Sequence, residues 1–399
     1  MRSTARLAAL AAASTLALAG CSGQTAATPT AGGDVDLADG LQIVTTTTQV
    51  HDFVTQLTAG LEAAGTKVEI TPLLQPGESA HGFEPTAADL TAMGAADVVV
   101  ESGMGLESWL ADAISASGFH GQRIDASTGF DESILHAGHA GHGDPAATGE
   151  VSEGAHATED GHAAEDAHAS EDAHDHGADA SSSAEATASE SADEHAGHGH
   201  GDGHDHGDGP NPHLWVAPAG AQLMVQNIAA GLEAADAKDA ATIRANAEAY
   251  LAKLDELTEW IESNIETVPE AERMIVTNHD ALEYFAEQFH VTQVGTIIPS
   301  WDDAAEPSAA DLDALIAAMK ANGVKAIFCE TQLSPATAET IASQTGAKVY
   351  SGEDALYTDA LGEAGTDGGT YLGATIHNTQ MFMESWGRTA SAAPADLTA

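Results

Sequence analysis

Residues 136–208 contain no Leu, Ile, Phe, Tyr or Trp, and Val151 is their one branched aliphatic side chain. They carry 13 histidines and 18 acids without one Lys or Arg; Ala, Gly and Ser make up most of the rest. Such a stretch cannot bury enough apolar surface to offset the entropy of ordering it, so residues 136–209 read as a loop that is disordered without metal. Any folded body must therefore be assembled from the two flanks. The acidic bias extends beyond this segment: 62 acids against 12 bases give a formal net charge of −50. Nucleic acid and anionic membrane surfaces need a basic footprint, so both are excluded as partners. Cations, basic proteins and neutral ligands remain.

Both flanks alternate β-rich runs with helical patterns. Before the loop, strands are expected at 41–48, 67–74, 97–101 and 123–127, with helices at 49–64, 87–95 and 106–117. After it, Pro218 to about Ile265 is one long helical pattern with a break near Ala235–Lys238. Its second piece, if about 30 residues long, would span roughly 45 Å, enough to run between two lobes. Strands follow at 273–277, 291–297, 325–329 and 348–350, with helices at 281–289, 308–322, 335–344 and 370–386. This rhythm predicts parallel βα units. The expected fold class is α/β: two lobes, each with a roughly four-stranded parallel sheet flanked by helices, joined by one long linking helix. Ligands of such sheets bind at the carboxyl ends of strands.

The N-terminus reads as an address. Arg2 and Arg6 precede a short apolar run from Leu7 to Ala19, too short for a membrane-spanning helix. It ends Leu18-Ala19-Gly20-Cys21, which resembles the bacterial lipobox. The resemblance implies cleavage before Cys21 and lipidation of that residue. The expected organisation is a signal peptide (1–20), lipidated Cys and flexible linker (21–40), N-terminal lobe (41–135 and 210–235, around the loop at 136–209), linking helix (236–268), C-terminal lobe (269–388) and tail (389–399). The folded part would sit outside the cytoplasm, on the outer face of the cell membrane or in the periplasm. With Cys21 so used, Cys329 has no disulfide partner and reads as a buried structural thiol.

Seven histidines lie outside the loop. His81, His213 and His279 fall at predicted strand ends or loop edges, as does Asp359. Three imidazoles and one carboxylate suit Zn²⁺, which accepts tetrahedral N/O sites. Taken singly, each histidine is more often a loop-capping residue than a ligand. His51, His120, His290 and His377 read as structural or surface residues. Trp215, two residues after His213, is a candidate lid for the cleft.

The surrounding wording is more specific. His81-Gly82-Phe83-Glu84-Pro85, Asn211-Pro212-His213-Leu214-Trp215, Asn278-His279-Asp280-Ala281 and Tyr357-Thr358-Asp359-Ala360-Leu361-Gly362 occur in that order, with Gly103-Met104-Gly105-Leu106-Glu107-Ser108-Trp109-Leu110 and Ala326-Ile327-Phe328-Cys329-Glu330 between them. From about Leu41 to Trp386 the chain resembles the metal-specific solute-binding lipoproteins of bacterial zinc and manganese ABC importers. The resemblance implies His81, His213, His279 and Asp359 as ligands, with Glu353 or water as alternatives to Asp359. It implies two lobes around a rigid helix, Zn²⁺ as cargo and a permease membrane subunit as partner. The third ligand is often Glu in the family's manganese binders, so His279 points to zinc. The expectation is thus a monomeric, lipid-anchored zinc-delivery protein and not an enzyme; no H-E-x-x-H, G-x-S-x-G or P-loop pattern occurs. Its alternatives are a manganese or iron carrier of the same class, or a zinc buffer acting through the loop.

Two departures stand out. Ser79-Ala80 and Ala217-Pro218 replace the family's usual Asp-Pro pairs. A carboxylate that orients an imidazole could be lost there, with Glu78, Glu84 or Asp280 as substitutes. Within the loop the histidines cluster: His136, His139 and His142; His174 and His176; His195, His198 and His200; His204 and His206. These clusters are expected to hold metal weakly, because each ion must order flexible chain.

Overall fold

A computed structural model describes residues 40–141 and 210–398, with 137–141 in their main chain only. The expected signal peptide, Cys21 and the linker lie outside the described residues. So do the loop histidines expected to bind metal weakly from His142 onward, namely His174, His176, His195, His198, His200, His204 and His206.

The alternation folds as two four-stranded parallel sheets. In the first lobe β1 (Leu41–Thr45), β2 (Val68–Pro72), β3 (Val98–Glu101) and β4 (Gln122–Asp125) take the order β2-β1-β3-β4. In the second, β5 (Met274–Thr277), β6 (Thr292–Thr296), β7 (Ala326–Phe328) and β8 (Lys348–Tyr350) take the order β6-β5-β7-β8. Each order reverses beside its first strand, which opens a crevice at the strand carboxyl ends. Val98, Val99 and Val100 are fully buried, as expected of a parallel strand covered on both faces. Each such side chain contributes about 1.5–3 kcal/mol by leaving water.

Helices α1 (Thr48–Leu57), α2 (Leu61–Ala64), α3 (Ala87–Ala95), α4 (Leu110–Ser117) and α5 (Pro218–Ala235) flank the first sheet. The helix expected over 49–64 is broken: Gly60 turns left-handed at φ 81° between α1 and α2. The helix expected from Leu106 begins only at Leu110. Gly103, Met104 and Gly105 all have positive φ, and Glu107 turns inward to accept the Ser102 and Gly103 amides at 2.7 and 3.2 Å. Local signals do set other ends. Thr86 with Asp89 and Ser308 with Asp311 form complete capping boxes at α3 and α8 (Ala309–Asn322).

The linking element is α6 (Ala240–Ile265), 26 residues or about 39 Å long. Ile243, Ala247, Tyr250, Leu254, Leu257 and Ile261 form a buried stripe at helical spacing. The helix touches α1 in one lobe and α10 (Tyr371–Ser385) in the other. One apolar core therefore runs continuously through both lobes. A second core lies between the β5–β8 sheet and α8 and α9 (Ala336–Thr345), around Val276, Ile316, Met319, Ile327 and Cys329. Burial, with Glu330 beside it, pushes the Cys329 thiol up to about 12, so it stays an inert thiol. The short α7 (Glu283–Gln288) carries Tyr284 and Phe285 into the main core.

Two expected boundaries shift. The expected loop begins at His136, whereas a 3-10 helix continues over Glu132–Gly141. Leu135 anchors it in the core, and the exposed His136 donates from Nε2 to Glu287 Oε1 at 3.1 Å. His136, expected as a weak metal ligand, is thus held by a carboxylate of α7. The main chain of His139 lies on the same 3-10 helix, and its side chain is outside the described part. The expected tail docks: Leu397 is buried, and the Ser391 amide donates to Asn264 Oδ1 at 2.7 Å.

Candidate metal centre

Four loops bring His81, His213, His279 and Asp359 together. One ligand atom from each lies within 4.8 Å of all the others. His81 follows β2 and His213 precedes α5, both in the first lobe; His279 follows β5 and Asp359 follows β8, both in the second. Nε2 of His213 sits 3.2 Å from Nε2 of His81 and 3.3 Å from Nε2 of His279. Asp359 Oδ1 lies 3.2 Å from His213 Nε2 and 3.3 Å from His279 Nε2; its Oδ2 lies 3.8 Å from His81 Nε2. None of the four side chains is more than 3% exposed.

The back of each central ring is held. His279 Nδ1 donates to Glu330 Oε1 at 2.8 Å. His213 Nδ1 donates to Asn211 Oδ1 at 2.7 Å, and Asn211 is itself oriented by donating from Nδ2 to the Asp280 carbonyl at 2.7 Å. A neutral imidazole that donates through Nδ1 has a bare lone pair on Nε2. In their neutral forms both rings would turn the Nε2 lone pair inward, where the three Nε2 atoms face one another at 3.2 and 3.3 Å from that of His213. His81 is steadied instead by the Trp301 ring, 5.6 Å away between centroids. Neither oxygen of the buried Asp359 carboxylate has a hydrogen-bond partner.

The electrostatics follow from this crowding. Burial, then the neighbouring His213, lowers His81 to about 4. Burial alone would lower His279 too, but the Glu330 and Asp359 carboxylates hold it well above the usual imidazole range. Burial alone would raise Asp359, but the His279 and His213 imidazoles hold it well below the carboxylate range. A buried carboxylate that holds positive charge on the imidazoles around it marks a cavity complementary to a cation, whose binding would displace the His279 proton.

The orienting carboxylate differs from every substitute named from sequence. Glu78 accepts the Gln75 amide and Glu84 is exposed, while Asp280 Oδ1 takes the Gln293 side chain at 3.0 Å. Glu330, two residues past β7 in a quoted motif, and Asn211, in the His213 motif, do the orienting. Glu353 is exposed and outside the cluster, unlike Asp359. Trp215 borders His213, at 5.3 Å between centroids, while Trp301 is the ring against His81. His51 lies beside Thr45 Oγ1 at 3.4 Å, His377 Nε2 donates to the Ala355 carbonyl at 3.0 Å, and His120 and His290 are exposed.

Comparison with known proteins agrees with this architecture. The family described as "Zinc-uptake complex component A periplasmic", ZnuA, matches residues 43–385. The manganese-binding lipoprotein MntA of Halalkalibacterium halodurans is 26% identical over 345 residues, 86% of this chain and 88% of that protein. The periplasmic zinc-binding protein TroA of Treponema pallidum superposes with a TM-score of 0.61 at 19% identity, covering 87% of this chain and 99% of that one. A manganese-bound periplasmic metal-binding protein from Candidatus Liberibacter asiaticus superposes with a TM-score of 0.60 at 19% identity, over 86% and 99% of the two chains. The chain belongs to the ZnuA family, the periplasmic metal-binding components of ABC importers.

Proposed function

We propose that the chain captures Zn²⁺ between its lobes, with His81, His213, His279 and Asp359 as ligands, and hands it to the membrane subunit of an ABC permease. The observation that carries this reading is the convergence of three imidazole Nε2 atoms on a buried carboxylate without hydrogen bonds. Ligands about 2.0–2.1 Å from a tetrahedral zinc stand about 3.3–3.4 Å apart. Four of the six separations, at 3.2–3.3 Å, match that value, and His81 Nε2 stands 3.8 Å from Asp359 Oδ2. A nitrogen-rich set also suits Zn²⁺ better than the harder Mn²⁺. Lipidation of Cys21 would tether the carrier beside its permease. The loop histidines, His136 to His206, would act as a weak collector of the same ion, and deleting residues 136–208 should then reduce uptake when zinc is scarce.

A second reading, manganese as cargo, is favoured by the similarity to MntA, named as manganese-binding. Competition of the apoprotein against a chelator, first with Zn²⁺ and then with Mn²⁺, separates the two. The expected result is one tight zinc site, much weaker for manganese and lost in His81→Ala and His279→Ala. A preference for manganese would overturn the metal and leave the family standing.

A further inference from the structure

The main chain just before Asp359 is held by the opposite lobe. The Thr358 carbonyl accepts two hydrogen bonds, from Gln49 Nε2 at 2.8 Å and from Trp215 Nε1 at 2.7 Å. Gln49 lies on α1 and Trp215 just before α5, both in the first lobe, whereas Thr358 follows β8 in the second. Two residues past Asp359, the Leu361 amide donates to Thr48 Oγ1 of α1 at 2.9 Å. The segment keeps ties to its own lobe through the residue before: Tyr357 exchanges main-chain hydrogen bonds with the Asn378 side chain at 2.9 and 2.7 Å. Gln49, Trp215 and Thr358 are all at most 3% exposed, so water cannot replace these bonds while the lobes stay docked.

Thr358 also reaches the other ligands. Its Oγ1 donates to Glu330 Oε2 at 2.5 Å, and Glu330 holds His279 Nδ1. Trp215 follows His213 by two residues, so the donor on the carbonyl and the imidazole at the centre share one short segment. One peptide unit thus joins the three ligand loops nearest the buried carboxylate.

We propose that Gln49 and Trp215 are positioning residues, whose joint grip on the Thr358 carbonyl sets the Asp359 carboxylate against the three imidazoles across the lobe interface. This rests on the reading of Asp359 as a metal ligand. The segment around Asp359 belongs to the second lobe by sequence, yet the Thr358 carbonyl and the Leu361 amide on either side of it bond to the first. The fourth ligand is therefore presented only when the lobes are docked, and separating them withdraws it. Capture and release of the cargo become linked to this pair of bonds.

The test uses the chain with its His-rich segment in place, loaded with zinc and competed against a chelator. Gln49→Met and Trp215→Phe each remove one donor and keep an apolar side chain in the interface. Each should weaken zinc binding by about 10- to 100-fold, the usual effect of losing an outer partner of a ligand. Most of that change should appear as faster release. In an Asp359→Asn background the same substitutions should change affinity by less than about twofold, because the group they position no longer ligates in the same way. A merely structural contribution would weaken both backgrounds equally, and that result overturns the proposal. So does parental affinity and release in whichever single variant melts as a folded protein. An Asp359→Asn protein that binds zinc as the parent does refutes the four-ligand reading itself, and the positioning proposal with it.

Discussion

Glu330 Oε2 lies 2.7 Å from His279 Nδ1, and both side chains are wholly buried. The contact forces the Nδ1 proton toward the carboxylate and leaves Nε2 free to face His213 and Asp359. Glu330→Gln keeps the shape but can present an amide N–H to the ring, favouring the wrong tautomer. Zinc affinity should fall about 10- to 100-fold. Glu78→Gln and Glu84→Gln, at the positions suggested by sequence alone, should leave it unchanged. Chelator competition on the three variants checks this; equal losses in all three would remove Glu330 from its orienting role.

The third imidazole should set the choice of metal. His279→Glu exchanges a borderline nitrogen donor for a hard oxygen donor in a buried site. The expected outcome is a Zn²⁺-to-Mn²⁺ affinity ratio at least about tenfold lower than in the parent. Paired titrations with the two ions give the ratio. An unchanged ratio would mean that geometry, and not donor type, selects the metal.

Glu107 predicts a pH dependence of stability. Burial pushes its carboxyl from 4.5 up to about 7, against the opposing hydrogen bonds from Thr46 and the Ser102 amide. The folded state therefore binds a proton that the unfolded chain has released between pH 4.5 and about 7. That contribution is complete below pH 4.5 and is lost as pH rises through about 7, amounting to roughly 3 kcal/mol at most. Glu107→Gln should abolish this part of the profile. Urea unfolding at a series of pH values tests it: parent and variant curves that run parallel across the window would contradict the assignment.

Gly103 and Gly105 make a contrast in one turn. Both have positive φ, 93° and 82°. A Cβ at Gly103 would also collide with Asp125 Oδ1 and Ser127 Oγ, while one at Gly105 would meet nothing within 4 Å. Gly105→Ala should cost only the left-handed strain, about 1–2 kcal/mol. Gly103→Ala adds a clash with side chains that are bonded to each other, and should cost more than about 2 kcal/mol. Thermal melts of the two variants rank them; equal losses would show that the Asp125–Ser127 pair yields freely.

What could be read without coordinates was what is encoded locally. Val98 to Val100 announced a buried strand, and the motifs around His81, His213, His279 and Asp359 marked the site. Hydrophobic period reports which face of an element is buried, and a short motif reports the residues beside it. Neither reports which loop meets which. The Glu330–His279 and Asn211–His213 bonds, the Trp301 ring on His81 and the grip of Gln49 and Trp215 on the Thr358 carbonyl depend on the crossover connections of both sheets and on the docking of two lobes through α6. Gln49 and Thr358 are 309 positions apart in the chain. Their meeting is set by the packing of a shared core, in which distant segments gain free energy only once they lie together.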